Sequence, residues 1–118
     1  MKLYELKKDE QDGLLRQLAA SVDHLWRETN YKELTKPNQS GKFSFQKGVQ
    51  AGIIRSKFNL DMDLIEDLLD WGLGLTKNTP EINEKPAFAR RDLLERSYKL
   101  YIGKKSDEQF KKRMKEVL

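Results

Sequence analysis

The sequence predicts an all-α fold, a single compact bundle of about five helices. Three observations carry that expectation. Apolar residues recur at three- and four-residue spacing along most of the chain. No segment alternates polar and apolar residues in the manner of a half-buried strand. Clusters of Gly, Pro and Asn cut the periodic stretches into helix-sized pieces. The length, 118 residues, is that of one ordinary domain and permits a core without disulfides or metal. A hydrophobic content of 37% beside 36% charged residues suits a small helical protein with a large solvated surface. Two Trp and five Phe set in regular stripes argue against disorder.

The first helix is expected from about Asp12 to Glu28. Leu14, Leu15, Leu18, Ala19, Val22, Leu25 and Trp26 fall within an arc of about 140°, with Arg16, Gln17, Asp23, His24 and Arg27 on the rest. Residues 1–8 read as a separate turn or arm, because Lys7 and Lys8 land on the apolar arc and Gly13 weakens continuity. Pro37, Asn38, Ser40 and Gly41 then form a turn-rich loop, over which Tyr31 and Leu34 fold back on the core.

Ser44 is suited to cap a second helix that runs to about Phe58. It has two apolar faces, Phe45, Val49, Gly52, Ile53 and Ser56 on one and Ala51, Ile54 and Phe58 on the other, so it is expected to be central and packed on both sides. Asp61 caps a third helix through Trp71, ended by Gly72 or Gly74. Its apolar half is Met62, Leu64, Ile65, Leu68, Leu69 and Trp71; Asp63, Glu66, Asp67 and Asp70 lie opposite. Residues 72–85 read as a loop.

Pro86 opens a fourth helix ending at Gly103, the second central element. Ala87, Leu94, Tyr98, Tyr101 and Ile102 form its main face, and Ala89, Leu93 and Leu100 a second stripe on the far side. Ser106 and Gln109 match a capping box for a last helix striped by Phe110, Met114, Val117 and Leu118.

Charge is divided unevenly along the chain. Residues 1–84 hold 12 Lys/Arg against 14 Asp/Glu, whereas residues 85–118 hold 11 against 5. The overall +4 and the isoelectric point near 9.2 therefore belong to the C-terminal third, residues 86–118. Its Arg90, Arg91, Arg96, Lys99, Lys104, Lys105, Lys111, Lys112, Arg113 and Lys115 are candidates for phosphate contacts with nucleic acid. Basic residues at helix C-termini also stabilise the helix dipole, which is the structural reason for the same pattern. Tyr98 and Tyr101 have the chemistry to stack on bases, but they fall on the face assigned to the core.

The second and third helices with the Asn59–Leu60 corner resemble a helix-turn-helix in outline. The would-be recognition face is Asp63, Glu66, Asp67 and Asp70, which repels a polyanion, so the charge rejects that role. The same acidic face suits a basic protein partner, and the i, i+4, i+7 spacing of Asp63, Asp67 and Asp70 is compatible with Mg²⁺. The ordinary alternative is a solvated helix face, and no metal site is assigned. Ala89, Leu93 and Leu100 are either internal or an exposed patch for a partner or for self-association.

No chemistry-bearing constellation is present. His24 is the sole histidine and has no Ser, Cys or second His beside it. None of the acidic positions reads as buried, so no carboxylate pair with split proton affinities is expected. The chain has no Cys, which removes disulfides, thiolate catalysis and Cys-ligated zinc. The N-terminus lacks the apolar run of a signal peptide and no stretch is long enough to span a membrane, so a cytoplasmic protein is expected.

The sequence thus points to a non-enzymatic protein without a cofactor. Nucleic acid is the first partner expected, RNA or DNA, bound without reading sequence through the basic third. The alternative is a protein-binding module, an immunity, inhibitor or adaptor protein. It would use Asp63, Glu66, Asp67 and Asp70, or the stripe of Ala89, Leu93 and Leu100.

Overall fold

The computed structural model describes the backbone of residues 3–28 and 40–117, and the side chains of residues 3, 5–28 and 44–104. Among these residues the fold is all-helical: α1 (Lys8–Glu28), α2 (Ser40–Phe58), α3 (Met62–Asn78) and α4 (Ala87–Val117). Short 3-10 turns at Leu3–Glu5 and Pro80–Glu84 precede α1 and α4. Tyr31, Leu34, Pro37 and Asn38 lie outside the described residues.

Four long helices replace the expected five because the fourth and fifth are continuous. Gly103 lies inside α4 and does not end it. A helix-ending glycine takes a left-handed conformation, and no described glycine has positive φ. The same reason extends α3 past Gly72 and Gly74 to Asn78, so the expected 72–85 loop shrinks to the turn at Pro80–Glu84. Left-handed geometry appears instead at Asn59, with φ 52°, where its N–H donates to Arg55 O at 2.9 Å and closes α2. Asp61 does sit at the N-cap of α3 in extended conformation, but its carboxylate makes no capping bond. The α2 helix opens at Ser40, one turn before the expected Ser44.

The α1 helix also starts earlier than Asp12, at Lys8, and the Gln11 side-chain amide ties it back to Leu6 O at 3.1 Å. Leu3 and Leu6 are buried, so the N-terminal turn is part of the core rather than a free arm. The apolar arc of α1 is buried throughout, from Leu14 to Trp26.

This helix is the centre of the molecule, packing against α2, α3 and α4. The expectation that α2 and α4 are central is therefore corrected. On α2 the Ala51 and Ile54 face is buried against α1 and α3, with Phe58 half-buried, while Phe45, Val49 and Ile53 are exposed. On α4, Leu94, Tyr98 and Ile102 enter the core, as their spacing requires. Leu100 is 79% exposed and Ala89 and Leu93 are half-buried, so that second stripe is not an internal layer.

The core is sealed between α3 and α4 by aromatics. Tyr98 is fully buried and its hydroxyl donates to Leu68 O. The Trp71 ring stacks on Tyr101, with centroids 4.2 Å apart. Each large apolar side chain removed from water contributes about 1.5–3 kcal/mol. Both tyrosines thus serve packing, as the face assignment implied.

Candidate functional site

Where α1 ends and α4 begins, one buried acid gathers three arginines. Asp23 faces the start of α4 and is 6% exposed, which corrects the expectation that no carboxylate is buried. Arg90 grips it with two prongs, Nε to Oδ1 at 2.8 Å and Nη2 to Oδ2 at 3.3 Å. The third face of Arg90 is used as well, because Nη1 donates to Lys85 O at 2.7 Å. Arg91 Nε lies 3.5 Å from Oδ2, and Arg27 Nε lies 4.0 Å from Oδ1.

Local structure sets this geometry. Arg27 is four residues after Asp23 on α1, so both share a face. The turn at Pro80–Glu84, anchored by buried Ile82, brings Asn83 O to Arg27 Nη2 at 3.1 Å. Pro86 then starts α4, accepting from the N–H groups of Ala89 and Arg90, and sets Arg90 and Arg91 within its first turns.

Electrostatically the cluster is unbalanced: three guanidiniums meet one carboxylate, leaving a formal excess of two positive charges. Arg90 is consumed by Asp23, its side chain only 14% exposed. Arg27 and Arg91 are 41% and 54% exposed and present part of their planar forks to solvent. Phe88, one turn before Arg91 on α4, is 78% exposed. A partly exposed guanidinium one helical turn from an exposed aromatic residue offers the two elements of a phosphate-and-base contact.

The remaining basic candidates are dispersed. Arg96 Nε bonds Asp92 Oδ2 at 3.1 Å on the surface. Lys99 joins Lys8, Gln11 and Asp12 around a hollow of 320 Å³ between α1 and α4. Lys104 is exposed. The side chains of Lys105, Lys111, Lys112, Arg113 and Lys115 lie outside the described residues, though their backbone continues α4.

On α3, Asp63 and Asp67 are exposed and Glu66 is half-buried. Asp70 is neutralised by Lys47 of α2, Nζ to Oδ1 at 2.8 Å, so the acidic stripe is shorter than the sequence implies. Among the described residues no three His, Asp or Glu side chains come together as a metal-sized group, Asp63, Asp67 and Asp70 included.

A second feature escapes the sequence reading. Phe45, Val49 and Ile53 form an exposed apolar row along α2, at 69%, 42% and 38% exposure. The two-faced pattern of α2 was legible; which face the core leaves uncovered was not. Arg27 was missed for a similar reason, since its meeting with Arg91 depends on how α1 and α4 pack. Its i, i+4 spacing to Asp23 was the available signal. No family model, curated protein or solved structure matches this chain.

Proposed function

We propose that this is a small non-enzymatic nucleic-acid-associated protein that holds phosphates without reading sequence. The observation that carries this reading is the excess of arginine over carboxylate at the α1–α4 corner, where Arg27 and Arg91 remain partly solvent-facing and Phe88 is exposed one turn before Arg91. Guanidinium forks match phosphate oxygens in pairs, and neutralised phosphates release counterions. The chain's net charge of +4, concentrated by sequence in its last third, raises the encounter rate with a polyanion.

The test is fluorescence anisotropy with labelled single- and double-stranded oligonucleotides at about 50 and 200 mM salt, where phosphate contacts weaken most. Arg27→Gln with Arg91→Gln removes two forks and leaves Arg90 on Asp23; because Arg27 also holds Asn83 O, the circular dichroism spectrum and urea midpoint of the variant are measured beside its binding. Binding is expected to fall at least tenfold, with the salt dependence shallower by about 0.9 for each phosphate no longer neutralised. Absence of binding by the unaltered protein at the lower salt would overturn the reading.

A second reading, a protein-binding module, is favoured by the exposed row Phe45, Val49 and Ile53. Contiguous exposed apolar side chains on a soluble fold mark interaction surfaces. This row supports it better than the acidic face of α3, whose Asp70 is engaged by Lys47.

A further inference from the structure

The corner of α1 and α4 has three features that bear on which form of nucleic acid it takes. First, it offers an uncommitted ring. Trp26 and Tyr98 are buried in the core, and Phe58, Trp71 and Tyr101 pack against it. Among the described aromatic side chains only Phe45 and Phe88 are exposed, and of these only Phe88 has an arginine one helical turn away, Arg91 at i+3. Second, ring and cation stand on a fixed base. Arg90 bonds both Asp23 of α1 and Lys85 O, which pins the first turn of α4 to the end of α1. Pro86 O accepts from the N–H groups of Ala89 and Arg90, each at 3.0 Å, and closes that same turn. Arg90 is thus a positioning residue, and Phe88 and Arg91 ride on the turn that it holds.

Third, the free positive charge is confined. Arg27 and Arg91 approach opposite oxygens of one carboxylate, at 4.0 and 3.5 Å, so both border the same acid. Further along α4, Arg96 is engaged by Asp92 at 3.1 Å. Exposed Glu84 comes four residues before the ring and half-buried Glu95 seven after it. Two forks bounded by carboxylates suit the phosphates beside one nucleotide better than the two phosphate rails of a duplex.

We infer that this corner binds single-stranded nucleic acid, with one base stacked on Phe88 and its neighbouring phosphates on Arg91 and Arg27. The assignment rests on the nucleic-acid reading above and names the strandedness. A base offers its π-face only when it is unstacked; inside a duplex its neighbours cover both faces, and exposing it costs the energy of that stack. Stacking accepts any base, in keeping with binding that reads no sequence.

Fluorescence anisotropy at about 50 mM salt with three labelled probes of equal length tests this: a single strand, its duplex, and a strand whose sugars carry no bases. The single strand is expected to bind roughly fivefold or more tightly than either of the others. Phe88→Ala and Phe88→Leu remove the ring from a position 78% exposed, so they are expected to fold with an unlowered Tm. Both are expected to weaken the single strand by about five- to a hundredfold, the loss of one stacked base, whereas Phe88→Trp keeps the binding. Phe88→Ala and removal of the bases are expected not to add, because each deletes the same stack. A duplex bound as tightly as the single strand, with Phe88→Ala indifferent, would overturn the stacking site and leave the phosphate reading standing. A single-strand preference that survives Phe88→Ala would also overturn it, since the stack would lie elsewhere. No binding of any probe would overturn both.

Discussion

At Gly72 a β-carbon would run into the Tyr98 hydroxyl and come within 2.7 Å of a Val22 methyl. The glycine is there because α3 must pass close to an α4 side chain and to α1 together. Two residues on, at Gly74, a β-carbon meets nothing within 4 Å. The same substitution in one helix is therefore expected to act with opposite signs. Gly72→Ala should destabilise by about 1–3 kcal/mol through overpacking, and Gly74→Ala should stabilise by about 0.5–1 kcal/mol through helix propensity. Urea unfolding midpoints of the two variants check this; equal midpoints would mean that Tyr98 is not held over Gly72. From the sequence these glycines were alike, and both looked like helix ends. Their different meanings come from Tyr98, which is 26 residues away along the chain from Gly72.

Among the helices, α4 shows most plainly how local signals are overruled. Gly103 followed by a capping box reads as a stop and a restart, yet Gly103 keeps a right-handed conformation and 31 residues run as one helix. A helix of that length extends about 46 Å, close to the molecule's longest dimension of 49 Å. Gly103 is exposed and its β-carbon would meet nothing. Gly103→Ala is expected to raise stability by about 0.5–1 kcal/mol and to increase far-ultraviolet helical ellipticity. A loss of stability would place a bend or a break at that position. In α1 the outcome was the reverse: a one-sided apolar arc left a single way to pack, and every residue of that arc is buried. The α2 helix, apolar on two sides, gave no such instruction, and the reading of it as central failed for that reason.

Over the whole molecule, the Asp23 cluster ties the end of α1 to the start of α4 across 67 residues of sequence. Removing the acid strands Arg90, 14% exposed, beside two further guanidiniums. Asp23→Ala is expected to cost roughly 2–4 kcal/mol in denaturant unfolding, less than a fully buried pair because Arg27 and Arg91 reach water. A double variant, Asp23→Leu with Arg90→Met, should recover much of that loss, since an apolar pair leaves no buried charge. Little change in Asp23→Ala would mean that the cluster is surface decoration. Tyr98 is expected to weaken the fold at alkaline pH. Burial pushes its phenol well above the ordinary tyrosine value, so the folded state keeps the proton that the unfolded chain releases near pH 10. The stabilisation is fully present below about pH 10 and is lost progressively as pH rises beyond it. Tyr98→Phe, which keeps the ring, is expected to flatten the decline of stability between about pH 10 and 12. An unchanged slope would assign alkaline unfolding to other groups.

The sequence alone determined the helical class, the apolar faces of α1, α3 and the first half of α4, and the burial of Tyr98, because each depends on a period that one helix carries by itself. It also located the excess positive charge in the last third of the chain. Only the tertiary structure decided that α1 is the centre, that Asp23 is buried with three arginines, and that Phe45, Val49 and Ile53 face solvent. These depend on which helix lies against which, a long-range choice. Local propensity cannot encode it, since a two-faced helix or a lone charged residue is equally satisfied by more than one neighbour.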